Sequence, residues 1–173
     1  MYKLYYSPGT ASLAVHWMLI ELGVPFEIER VDFTAAEQKR PEFLKLNPKG
    51  QLPVLIVDGR PCTESAALLM LLAERHPEAR LAPAPGTPER TTYIETMVYL
   101  ANALLPAFRA WFYVGDYAGP EHHADSRAHT RARIEAVFSQ LDALLSDGRP
   151  YLVGAELSAP DFLAVMLARW SRL

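Results

Sequence analysis

The chain has 173 residues, half of them apolar, with 17 basic and 20 acidic side chains and a net charge of -3. That is enough apolar material for a sizeable core in one large or two small domains, and neither the charge nor any Lys/Arg cluster points to nucleic acid as the main partner. The N-terminus lacks a basic segment followed by an apolar stretch and a cleavage site, and no window reaches the roughly 18 apolar residues of a membrane span, so the expected setting is the cytoplasm, with no membrane partner.

From Met1 to about Pro77, β-rich runs alternate with helical ones. The pattern predicts a strand over 2–6, a helix over 11–22, a strand over 26–31, a short helix over 41–46, strands over 53–57 and 60–63, and a helix over 65–75. Asp58 and Gly59, between "PVLIV" and "RPCT", give a tight-hairpin signal. The order βαβ, helix, ββα means a small mixed sheet with helices packed on it. Prolines 77, 83, 85 and 88 then crowd a stretch that suits neither helix nor sheet. We therefore expect a first domain over 1–77, a linker over 78–88 and a second domain over 89–173.

Beyond the linker everything reads as helix. Ile94, Met97, Val98, Ala101, Leu104, Leu105 and Phe108 recur at spacings of three and four, as do Ile134, Val137, Phe138, Leu141, Leu144 and Leu145. Both sets read as core stripes of long bundle helices, and Arg127, Arg131 and Arg133 as a solvated face. A late helix has a strong start: Ser158 can cap it, Asp161 can return a bond, and Leu157 can staple against Phe162. The following "FLAVMLARW" is apolar almost all round. That pattern leads us to expect either more chain past Leu173 or a second subunit to cover it.

Several chemically capable residues have plainer uses. The single cysteine, Cys62, leaves no intrachain disulfide and no Cys-x-x-Cys chemistry, and it reads as a buried small hydrophobe. His122, His123 and His129 do not share one helix face at metal-ligand spacing, so no metal site is expected; Asp125 and His129, four apart, suit a surface pair. His16 reads as a packed, hydrogen-bonded residue.

Three stretches of the first domain put hydroxyls or backbone groups at the ends of regular elements. They are "SPGTAS" (Ser7 to Ser12), "NPKGQLPVL" (Asn47 to Leu55) and "CTESAALL", in which Glu64 and Ser65 open a helix. A helix N-terminus carries about half a positive charge and unpaired N–H groups. Ser65 could therefore hold a carboxylate and Glu64 an amine, as the zwitterionic end of an amino-acid-like ligand requires.

Together, "NPKGQLPVL", "TES" after a hairpin and the Ser-x-x-Asp cap, in that order and spacing, resemble the glutathione transferase superfamily, and "YYSPGTASLAVHWMLIELGVPFE" most resembles bacterial members, the beta class included. The resemblance spans the whole chain and implies an α/β thioredoxin-like N-terminal domain plus an all-α C-terminal helical bundle domain. It implies glutathione as co-substrate, a small hydrophobic electrophile as second substrate, a homodimer, and a role in detoxification. The bond before Pro53 would be cis, turning the backbone of Leu52 toward the cysteinyl part of glutathione; Glu64 and Ser65 would hold the γ-glutamyl end, with Gln51 nearby. Phe108, Trp111, Phe112 and Tyr113 lie where the family builds the wall of its electrophile site, though as a stripe they read mainly as core.

The departures are specific. The beta-class cysteine of this turn is Ala11 here, and the class's bundle histidine falls at about Leu105, so cysteine chemistry at the turn is lost. Hydroxyls remain. In theta-like members the catalytic serine stands eleven residues before the glycine ending the first helix, as Ser12 does before Gly23. Ser12 is thus the foremost candidate to hold a thiolate, with Thr10 and Ser7 as alternatives, while Tyr5 and Tyr6 suit core and rim. The competing possibility is a non-catalytic relative that uses the fold for binding or assembly.

Overall fold

The computed structural model describes residues 1–171; Arg172 and Leu173, the end of the expected second domain, lie outside the described residues. The chain divides into two compact units, Met1–Ala82 and Pro83–Leu173.

The first unit is built on a four-stranded sheet of order β2-β1-β3-β4, with β1 at Tyr2–Tyr6, β2 at Phe26–Arg30, β3 at Val54–Val57 and β4 at Arg60–Thr63. β1 runs parallel to β2 and antiparallel to β3, and β3 is antiparallel to β4. β3 starts one residue later than expected, at Val54, leaving Pro53 just outside the ladder, where its missing N–H removes no strand bond. The helices are α1 at Ser12–Glu21, α2 at Pro41–Leu46 and α3 at Ser65–Arg75. Leu4, Val15, Met18, Leu19, Leu55, Leu68, Leu69 and Leu72 are buried almost completely and form the core of this unit. The edge strand β2 carries Glu27, Glu29 and Arg30, charges that discourage pairing with another chain. Lys3 reaches Glu29 across the β1–β2 ladder at 2.6 Å.

The second unit contains α4 (Pro88–Tyr99), α5 (Leu105–Phe112), α6 (His123–Leu145) and α7 (Ala159–Trp170). The first apolar stripe does not form one regular helix. A π-helical turn over Leu100–Leu104 separates α4 from α5, and the cause is Pro106, which has no N–H for the ladder and crowds the carbonyl four residues back. Tyr93, Met97, Leu100, Leu104 and Phe108 point inward, whereas Ile94 is 41% and Val98 50% exposed, which corrects their expected core placement. Each follows an inward-facing residue by one position, about 100° round the helix. On α6, Ile134, Val137 and Leu141 are buried and Leu145 is not. On α7, Phe162, Leu163, Met166 and Leu167 are buried and Val165 is exposed, so the helix has one outward face rather than none.

Candidate functional site

The sheet register brings the three motifs together. Tyr5 of β1 faces Val54 of β3, and Val54 faces Thr63 of β4. The turn after β1, the residues before β3 and the residues after β4 therefore leave the sheet at the same end, on adjacent strands spaced about 4.8 Å apart.

At the first exit, the Ser7–Ser12 turn folds into a hydroxyl cluster. Ser12 is 1% and Ser7 8% exposed, and Thr10 is half-buried. Thr10 Oγ1 lies 2.7 Å from Ser12 Oγ and donates to Ser7 O at 2.8 Å. Ser12 Oγ also lies 3.3 Å from Ser7 O and accepts from Ser7 N–H at 3.4 Å. The Thr10 N–H donates to Ser7 O at 3.3 Å. Gly9 makes the tight reversal possible with φ +77, a left-handed conformation costly to other residues. Ala11 is the N-cap of α1 and offers no side-chain cap; no acidic residue stands in the first turn. Tyr5 stacks edge-on against Phe43 and Tyr6 tilts against His16. His16 sits half-buried between Tyr6 and Phe26 rings.

At the second exit, the Leu52–Pro53 peptide bond is cis. Pro53 is buried, Leu52 half-buried and Gln51 exposed. A residue not singled out from the sequence shapes this loop: Asn47, 4% exposed, donates from Nδ2 to Gln51 O at 2.7 Å and accepts from Lys49 N–H at 3.2 Å. Gly50 has φ +62, and a Cβ there would sit 2.8 Å from the Gln38 carbonyl oxygen, so both the conformation and the space demand glycine. The signal was present in "NPKG", since an asparagine side chain bonding the backbone two residues on is a common turn device.

At the third exit, Ser65 is buried at the first turn of α3, and Glu64 is its N-cap with φ 70 and ψ 109. That backbone conformation is strained for a residue with a side chain. The Glu64 carboxylate, largely exposed, pairs with Lys49 Nζ at 2.6 Å, so the second and third exits are linked by an ion pair that sequence spacing alone did not reveal.

The remaining candidates take structural places. Cys62 is half-exposed rather than buried, because its strand β4 lies at the edge of the sheet. Phe108 is buried in the second unit against Phe112, Phe138 and Trp170, and Phe112 and Tyr113 are exposed. Among the described residues no group of three His, Cys, Asp or Glu side chains could hold a metal ion, and no helix is long and apolar enough to cross a membrane.

Comparison with known proteins points the same way. The family model described as the glutathione S-transferase N-terminal domain matches residues 1–74. The glutathione S-transferase GST-4.5 of Xanthomonas campestris pv. campestris is 34% identical over 98% of this chain and 82% of its own length. Among solved structures, a glutathione transferase homologue from Sulfitobacter with bound glutathione is similar with TM-score 0.88 and 31% identity, over 98% of this chain and 82% of that one. A bacterial beta-class glutathione S-transferase from Sphingomonas chungbukensis is similar with TM-score 0.82 and 31% identity, over 97% of this chain and 81% of that one.

Proposed function

We propose that this chain, which belongs to the glutathione transferase superfamily, binds glutathione at the end of its sheet and transfers the glutathione thiolate to a small electrophile. The observation that carries the proposal is the convergence of the Ser7–Ser12 turn, the Leu52–Pro53 bond and the Glu64–Ser65 helix start on three adjacent strand ends. In this reading Glu64 meets the γ-glutamyl amine and Ser65 its carboxylate at the start of α3. The Leu52 backbone meets the cysteinyl part, with Gln51 alongside, and the turn that carries Ser7, Thr10 and Ser12 lies at the sulfur.

The energetics are sufficient. A free thiol has a pKa of about 8.5, and lowering it by about two units takes roughly 2.7 kcal/mol of differential stabilisation. One hydrogen bond to a charged group supplies about 1.5–3 kcal/mol, and a helix N-terminus adds about 0.3–1 kcal/mol. The sulfur gives its proton to solvent, its lone pair forms the new S–C bond, and the leaving group departs with the electrons of the bond that breaks. Ala11 leaves this turn without a thiol of its own, so the sulfur that reacts is that of glutathione.

The setting we infer is cytoplasmic and the working form a homodimer; the exposed Ile94 and Val98, one turn apart on α4, supply apolar surface for a second subunit. Binding without turnover is the second reading, favoured by the near-complete burial of Ser12. Retention on immobilised glutathione, followed by an assay of conjugation to an aryl halide, separates the two. Retention with turnover supports the transferase, and retention without turnover supports the binding module. Failure to bind glutathione removes both.

A further inference from the structure

Resting on the transferase reading, we infer that Thr10, not Ser12, is the hydroxyl that touches the glutathione sulfur, and that Ser12 acts behind it as a positioning residue. A donor to a ligand must present surface to it. Ser12 presents almost none, at 1% exposed, whereas its neighbour Thr10 is half-buried. Ser12 meets a sulfur only if the turn opens, and Thr10 is the more accessible of the two residues.

The proton inventory of the cluster supports the same order. Two hydroxyl protons take part in the hydrogen bonds of the cluster, one on Thr10 and one on Ser12. Without a ligand the Thr10 proton goes to Ser7 O at 2.8 Å. A thiolate is a stronger acceptor than a neutral carbonyl, because charge-assisted bonds are roughly twice as strong as neutral ones. Turning the Thr10 hydroxyl hydrogen toward it moves no heavy atom, and Ser7 O keeps the Thr10 N–H at 3.3 Å. Ser12 Oγ–H then donates to Thr10 Oγ1 across the 2.7 Å contact, and Ser7 N–H donates to Ser12 Oγ at 3.4 Å. Every donor in this chain points the same way, toward the sulfur. Such aligned bonds polarise one another and strengthen the terminal donor. Ser12 thus orients the Thr10 oxygen and makes its proton a better donor without contacting substrate.

The test is the pH dependence of thiolate absorbance for glutathione bound to the full chain, with affinity for S-methylglutathione, which has no thiol proton, as the binding control. We expect Thr10→Val to raise the bound thiol's pKa by about one to two units, a roughly ten- to hundredfold loss of thiolate below that pKa. Thr10→Ser should restore it, and Ser12→Ala should raise it by about half a unit, with each variant's S-methylglutathione affinity setting the glutathione concentration that saturates its site. A larger shift in Ser12→Ala than in Thr10→Val, or no difference between Thr10→Val and Thr10→Ser, overturns the assignment. A wild-type protein that binds S-methylglutathione but leaves the glutathione thiol at its free pKa overturns the transferase reading itself, and one that binds neither removes glutathione as the ligand.

Discussion

Two serine-led helix starts stand near opposite ends of the sequence, and they spend their polar groups differently. At the start of α7, Asp161 accepts from the N–H of Leu152 at 2.9 Å, from the N–H of Ser158 at 2.9 Å and from Ser158 Oγ–H at 3.1 Å. Helix, cap and preceding loop are closed on one another in a capping box. At the start of α1 there is no first-turn acid and the N-cap, Ala11, makes no side-chain cap; the hydroxyls of Thr10 and Ser12 bond each other and Ser7, and Thr10 Oγ1 accepts from the Ser12 N–H at 3.4 Å. An internal carboxylate consumes the positive end of α7. Its absence leaves that of α1 available to an anion from outside.

The largest expected effect breaks the closed start. Asp161→Ala strands three donors at once, two of them backbone, and should lower the stability of the second unit by about 3 kcal/mol, since bonds to charged groups contribute about 1.5–3 kcal/mol each but do not add fully. Asp161→Asn keeps one acceptor oxygen and should recover part of the loss. Urea denaturation of the full chain measures both. A loss for Asp161→Ala below about 1 kcal/mol would mean the box is not what closes this helix start.

The open start should show the converse pattern. Thr10→Val should reduce conjugation at neutral pH about tenfold or more while changing stability by less than about 1 kcal/mol, because Thr10 is only half-buried and the remaining Ser12 Oγ can turn to Ser7 O at 3.3 Å. Parallel activity and denaturation curves decide it. Equal losses in both would make the α1 cluster a cap like that of α7.

The start of α3 lies between these two cases. Glu64 is its N-cap without a side-chain bond to the helix and holds φ 70, a conformation that costs a non-glycine residue about 1–3 kcal/mol. Glu64→Gly should therefore stabilise the first unit by about 1 kcal/mol after the added flexibility of the unfolded chain is set against it, while weakening glutathione binding roughly tenfold. Its ion pair with Lys49 is exposed and adds little to stability. A variant that loses stability as well as affinity would place Glu64 among the structural caps.

How much of this was legible in the sequence follows from range. Both helix starts and the run of strands and helices in the first unit depend on local signals: alternation, Asp58–Gly59, the serines and the Asp161 spacing; the strand order β2-β1-β3-β4 does not, because β1 pairs with β3 across about fifty residues. The break at Pro106 was equally local, but its residue sat inside an apolar stripe whose periodicity masked it. Which of Ser7, Thr10 and Ser12 is accessible was not legible, because a difference of two positions at a helix start decides whether a hydroxyl faces core or rim. The Lys49–Glu64 pair joins residues fifteen apart in sequence, and only the register of β3 and β4 brings their loops together. Ile94 and Val98 read as core because spacing identifies an apolar stripe and not its width.

The smallest effect separates a carboxylate that closes a structure from one that only gathers donors. Asp147 also collects several bonds, accepting from the Arg149 guanidinium at 2.6–3.0 Å and from the Arg149 N–H at 3.0 Å, but it does so in an exposed turn. The Arg149 side chain first, and then its N–H, pull the Asp147 pKa down from 3.8 to about 2. Because the folded value lies below the unfolded one, any stabilisation is fully present above about pH 4 and is lost as pH falls through about 2. Solvent screening keeps it small. Arg149→Ala should return the Asp147 midpoint, followed by carboxyl NMR, toward the ordinary carboxylate range while leaving the melting temperature at neutral pH nearly unchanged. Asp161→Ala should lower that melting temperature by several degrees. If Arg149→Ala were to cost as much as Asp161→Ala, the number of bonds to a carboxylate would matter more than whether they tie a helix start to its loop.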